Sequence, residues 1–165
     1  MAAATSSGTA VLTLPTDTQI LIAREFAARK HLVYKAYTTP ELIKRWWTAK
    51  RGAMTVCDVD LRVGGKWRWV MVTEEGFEVA FHGEYRELVP NERIVHTEVF
   101  EGVPSDDDEG VLNTVTFTEA DGRTTVTMLT EAHSREVRDT IIESGMEEGL
   151  QDALDLLEEV AVSLS

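Results

Sequence analysis

Met146 to Leu164 reads MEEGLQDALDLLEEVAVSL, and its spacing decides the fold. Apolar residues fall at Met146, Leu150, Leu154, Leu157, Ala161 and Leu164, with Ala153 and Val160 widening the stripe. Steps of three and four place them on one face of a helix. Glu147, Glu148, Gln151, Asp152, Asp155, Glu158 and Glu159 take the other positions. At 1.5 Å per residue such a helix is roughly 28 Å long, about the span of a small domain. Its oily side needs a cover. No second long helix is legible, and the middle of the chain supplies strands. The expectation is one terminal helix held by a sheet.

Upstream, Ser134 has the chemistry of a helix cap for a short segment through Ile142, interrupted at Ser144-Gly145. Before that the texture is alternation broken by turns. Strands are expected at 54–63, 66–72, 77–88, 93–100, 111–118 and 124–130, with turns at Gly64-Gly65, Glu74-Glu75-Gly76, Pro90-Asn91-Glu92 and Asp121-Gly122. Gln19 to Phe26 is a further strand rich in branched residues. Two short helices follow it, Lys30 to Tyr37 and a second opening at Thr39-Pro40 and running to Trp46-Trp47. The acidic loop 101–110 lacks the alternating oxygen ligands and closing glutamate of a calcium loop. Sequential hairpin-linked strands favour an antiparallel sheet, oily on one face. A twisted sheet of that size curls and can leave a hollow beneath the helix.

The 165 residues fit one domain, expected over 16–165 behind a flexible tail at 1–15. No apolar run is long enough to cross a membrane, and the N-terminus lacks the pattern of a secretory signal. With 29 acidic against 16 basic residues, the net charge is −13. Phosphate backbones and anionic lipid surfaces are repelled by such a chain, so neither nucleic acid nor membrane insertion is expected. Cys57 is the single cysteine, which rules out an internal disulfide and a multi-thiolate zinc site. A reducing cytoplasm is the expected compartment.

The runs Ile22-Ala23-Arg24-Glu25-Phe26-Ala27-Ala28, Tyr37-Thr38-Thr39-Pro40-Glu41-Leu42 and Arg45-Trp46-Trp47 carry a resemblance. So do Asp60-Leu61-Arg62-Val63-Gly64-Gly65-Lys66-Trp67, His82-Gly83-Glu84-Tyr85, Pro90-Asn91-Glu92-Arg93-Ile94 and Ser144-Gly145-Met146-Glu147-Glu148-Gly149. In this order, from about Thr16 to the C-terminus, the chain resembles the proteins similar to the activator of heat-shock protein 90 ATPase. These belong to the START and birch-pollen-allergen-like (SRPBCC) superfamily. The first strand ends Ala27-Ala28 where that pattern commonly has Ala-Pro. The resemblance implies an α+β helix-grip fold, a curved antiparallel sheet gripping the C-terminal helix over a cavity. Superfamily members include lipid carriers, hormone receptors and cyclases, so fold alone does not select a function.

Strand parity sends Trp67, Trp69, Met71, Phe81, Val115, Phe117, Val126 and Met128 to one inner face, opposite Met146, Leu150 and Leu154 of the helix. These side chains either fill a core or line an apolar cavity, and a cavity carries a few placed polar groups. Arg24 shares parity with Ile22 and Phe26; His96 and Glu98 share theirs with Ile94 and Phe100. A buried Arg24 requires an acidic partner, for which Glu98 is one possibility. Trp46-Trp47 sits near the expected mouth, where Trp47 joins the lining and the pair packs or gates. Gly149 is expected at a close backbone approach and Gly83 at a bulge or bend. His31, His82, His96 and His133 show no ligand spacing, and nucleophile elbows and phosphate loops are absent from the sequence. Neither cofactor nor metal is expected. The leading expectation is a binding module for a small hydrophobic or aromatic molecule. Alternatives are a co-chaperone acting on a heat-shock ATPase, and an enzyme working through Arg24, His96 and Glu98 on a hydrophobic substrate. A homodimer is compatible with each.

Overall fold

The computed structural model describes residues 10–101, 110–144 and 146–164, apart from the side chains of Met146 and Glu147. The acidic loop therefore lies outside the described residues except at its two ends. The strands are β1 (Val11–Thr13), β2 (Gln19–Phe26), β3 (Gly52–Val59), β4 (Lys66–Thr73), β5 (Glu78–Val89), β6 (Arg93–Phe100), β7 (Val111–Ala120) and β8 (Arg123–Glu131). Helices α1 (Lys30–Thr38) and α2 (Pro40–Ile43) follow β2; α3 (Arg135–Glu143) and α4 (Met146–Ser163) end the chain.

All eight strands join one curved antiparallel sheet in the order β1-β2-β8-β7-β6-β5-β4-β3. Hairpins connect β3 through β8 in sequence, as two-residue alternation and the turn residues require. The first long strand instead crosses the whole set to pair with the last, Arg24 opposite Val126 and Phe26 opposite Thr124. Ile20, Ile22 and Phe26 of β2, Ile94 of β6, Val115 and Phe117 of β7 and Val126 of β8 bury one face. Leu154, Leu157, Val160 and Ala161 of α4 complete that core, with Leu154 and Leu157 fully enclosed. Each such leucine contributes about 2 kcal/mol of transfer free energy. The helix does not lack a helical neighbour: α1 packs along it and brings Val33 and Ala36 into the same core.

The structure corrects several local expectations. Val11–Thr13, placed in the tail by sequence, pairs with Leu21–Ala23 as an edge strand. The first strand of the β3–β4 hairpin ends at Val59, not Val63. Asp60–Gly65 folds into a loop in which the Arg62 N–H donates to the Asp60 carbonyl at 2.8 Å and the Gly65 N–H to the Arg62 carbonyl at 2.8 Å. Helix α2 is a single turn, and left-handed backbone at Ala49 (φ 52°) and Lys50 (φ 61°) closes the turns after it. Thr39 precedes that turn without a side-chain capping bond, whereas the Ser134 hydroxyl accepts from the Val137 N–H at 3.2 Å. No close backbone approach exists at Gly149, where an added Cβ would meet open space.

Candidate functional site

Arg24 is the buried cation the sequence anticipates, with a different partner. Its residue is 2% exposed. Nη1 lies 2.7 Å from Asp155 Oδ1, off the hydrogen-bonding axis, so that contact is charge attraction. Nη2 donates to Glu158 Oε1 at 3.2 Å, and the other Glu158 oxygen accepts the Ala27 N–H at 2.9 Å. The guanidinium also lies 5.0 Å from the Phe26 ring centre. Glu98 cannot be the partner because β8 and β7 separate β2 from β6. Three strand spacings amount to about 14 Å. Arg24 thus ties α4 to the sheet and stands apart from the recess described next, which removes it from the enzyme site anticipated with His96 and Glu98.

That recess has a volume of about 40 Å³ and lies between β4–β6 and the end of α1. Trp67 and Trp69 project from β4, Tyr85 from β5, and Ile94, His96 and Glu98 from β6; Tyr37 and Thr38 close it from the helix. Among the described residues, none from α4 lines this recess. Gly83 pairs with Trp67 across the β4–β5 ladder. A Cβ there would fall 1.9 Å from the Thr97 carbonyl oxygen and 2.7 Å from Trp67 Nε1, so only glycine leaves room for the indole and the β6 backbone together.

The polar groups of this wall are unevenly satisfied. His96 Nδ1 lies 3.1 Å from the Thr97 carbonyl oxygen, which assigns the proton to Nδ1 and leaves Nε2 as an acceptor. Burial lowers His96 to about 4, against a weaker opposing effect of that carbonyl, so the ring is neutral at pH 7. The Asn113 amide donates to Glu98 Oε1 at 3.1 Å, while its own oxygen accepts from the Thr130 hydroxyl at 2.6 Å. Burial raises Glu98 to about 7, with the Asn113 bond pulling the other way. Tyr37 and Tyr85 are pushed up mainly by burial, Tyr37 also by Glu98, and both stay protonated. The Trp67 and Trp69 indole nitrogens are buried with no hydrogen-bond partner among the described residues. An unmade bond to a buried donor costs on the order of 1–3 kcal/mol.

Of the anticipated lining, Trp67, Trp69, His96 and Glu98 meet around this recess. Trp47 is half-buried and packs edge-on against Trp69 (5.5 Å) and Phe81 (5.9 Å). Phe81 in turn contacts Phe100 at 5.1 Å. Phe117 is sealed beneath Tyr34 (5.5 Å) and Tyr37 (6.0 Å). Leu154 is core, Met128 and Leu150 pack against it half-buried, and Met71 is half-buried further along β4. The Met146 side chain is outside the described residues. Trp46 is buried, stacks on Tyr37 at 5.4 Å and donates its indole N–H to the Ala36 carbonyl at 2.9 Å. Tyr37, Thr38, Tyr85 and Ile94 were missed as lining. Tyr85 shares parity with Phe81, and that signal was available; for Tyr37 and Thr38 only the helix position could have told. Parity assigns a face of the sheet but not a place along it.

Burial holds the Cys57 thiol up to about 11, well away from thiolate chemistry. Among the described residues no three His, Cys, Asp or Glu side chains gather as a metal ligand set, and no helix is long and apolar enough to cross a membrane.

No protein of curated function matches the sequence. The chain is similar to a structurally characterised protein of Mycobacterium smegmatis at 26% identity and a TM-score of 0.81, over 91% of this chain and 94% of that one. A Rhodobacter sphaeroides protein shares the fold at 24% identity and a TM-score of 0.84, covering 94% and 99% of the two chains. An Aeromonas hydrophila protein described as like the activator of Hsp90 ATPase homolog 1 also shares it, at 22% identity and a TM-score of 0.65, over 87% and 93%. Residues 27–161 match the family described as Activator of Hsp90 ATPase homolog 1-like protein. The match spans most of the domain, from the end of β2 to the last turns of α4, and the chain belongs to that family.

Proposed function

We propose that the protein binds a small, partly aromatic molecule in the recess between β4–β6 and the end of α1. The observation that carries this reading is a recess walled by aromatic rings, two of them indoles whose buried N–H groups have no acceptor among the described residues. Natural interiors satisfy nearly all buried polar groups, so two open donors beside a void favour a ligand or water that supplies acceptors. Room for roughly three water molecules suits a head group or a small ring that displaces part of the wall, not a long acyl chain. Trp67 and Trp69 report occupancy through their fluorescence. A thermal-shift panel of small aromatic alcohols and heterocycles is expected to raise the melting temperature, with quenching of tryptophan emission and a bound mass in native mass spectrometry. Absence of all three responses would overturn the reading. Activation of a chaperone ATPase enters through the family description, and stimulation of that ATPase by the purified chain is the measurement that would establish it.

A further inference from the structure

Glu98 and Arg24 differ in the company they keep among the described residues. The buried guanidinium is met by two carboxylates, whereas the Glu98 carboxylate accepts from the Asn113 amide and has no cationic partner among the described residues. Around it stand Tyr37 from α1, Trp67 and Trp69 from β4, Tyr85 from β5 and the neutral His96 from β6. Among the described residues, the recess lining holds neither lysine nor arginine. Aromatic rings present negative faces, and an aromatic wall with one carboxylate is the composition that recognises organic ammonium groups. A hard metal ion fits poorly, because it demands several oxygen ligands. From this juxtaposition we infer that the recess receives the ammonium head of a small methylated amine, with Glu98 as its counter-ion. This rests on the binding role assigned to the recess and names the chemical class of its ligand.

The volume is of the right order, about 40 Å³. The net charge of −13 draws small cations toward the surface as a whole. Protonation is the expected control. Glu98 titrates near 7, so about one carboxyl in eleven is ionised at pH 6 and about ten in eleven at pH 8. His96 titrates near 4 and the two tyrosines well above this range, so among the described groups facing the site the window belongs to Glu98.

The test is calorimetric and fluorescence titration of the full chain with choline, tetramethylammonium and 3,3-dimethylbutan-1-ol, a neutral isostere of choline. The expected result is that the two cations bind, that the neutral alcohol binds at least tenfold more weakly, and that choline affinity rises about tenfold from pH 6 to pH 8. Glu98→Gln is expected to abolish both the preference and the pH dependence. Because wild type supplies the pH profile and the isostere comparison by itself, a poorly folding variant does not remove the test. Equal binding of choline and its isostere, or a flat pH profile, overturns the ammonium assignment while leaving the recess a binding site. No binding by these probes or by neutral aromatic ones overturns both.

Discussion

Arg24 on β2 and Glu98 on β6 face the same side of one sheet, and each would be charged when exposed at neutral pH. Their surroundings differ. The cation is enclosed by Asp155 and Glu158 of α4, with an aromatic ring beneath it. The acid is enclosed by rings and an amide, and it meets part of its burial cost by holding its proton to about 7. One region of the sheet spends its ionisable group on holding a helix. The other keeps a group that has an amide but no cation for company among the described residues. Structural and ligand-directed polarity can be separated by this criterion, where burial alone does not separate them.

The most disruptive way to break the comparison is Arg24→Leu, which strands two carboxylates against an apolar face. A loss of about 3–5 kcal/mol in chemical denaturation is expected, with ligand response in the remaining folded fraction unaltered. Gly83→Ala should come next, at about 1–3 kcal/mol, because the added methyl meets the Thr97 backbone rather than a movable side chain. It should also shift the Trp67 emission, unlike Arg24→Leu.

Titration sharpens the contrast further. Glu98 binds its proton more tightly folded than unfolded, so its contribution is fully present below about 4.5 and is lost as pH rises to about 7. His96 does the reverse: its contribution is present above about 6.5 and is lost as pH falls to about 4. Between about 4.5 and 6.5 the two slopes oppose each other, and wild-type stability should change little through these groups. Glu98→Gln removes one slope. Stability of this variant should climb by on the order of 1–3 kcal/mol from pH 4 to 6.5, then level off, in pH-resolved urea melts. A variant profile parallel to wild type would mean that Glu98 is not enclosed. The smallest effect is expected for Trp67→Phe. Losing an unpartnered donor offsets lost ring area, for a net change under about 1 kcal/mol, while the ligand response weakens.

Much of the architecture was legible because it depends on periodicity. Leu150, Leu154 and Leu157 fall on one helical face, and Ile20, Ile22, Arg24 and Phe26 on one strand face, whatever the loops do. The recess was legible only in part. Parity placed Trp67, Trp69, His96 and Glu98 inward, but equally Phe81, Phe117 and Met128, which bury themselves in the core or against neighbouring rings. Which inward residues stay uncovered depends on where α1 ends and where α4 crosses, a matter of tertiary placement. The same gap left Glu98 open as a possible partner of Arg24, since strand order rather than parity sets the distance from β2 to β6. The Val11–Thr13 edge strand escaped notice because three residues carry too little alternation to register.

The pairing of β2 with β8 has a consequence for how the molecule comes into being. Gln19 is opposite Glu131, and Arg24 waits for Glu158, 134 residues further on. On the ribosome the first long strand therefore emerges with an oily face and a lone guanidinium long before either is claimed. Closing so long a loop is slow, and completion of the sheet must be among the last events of biogenesis. A nascent chain stalled before Arg123 would hold every β3–β7 hairpin and still leave β2 exposed to whatever else can pair with it.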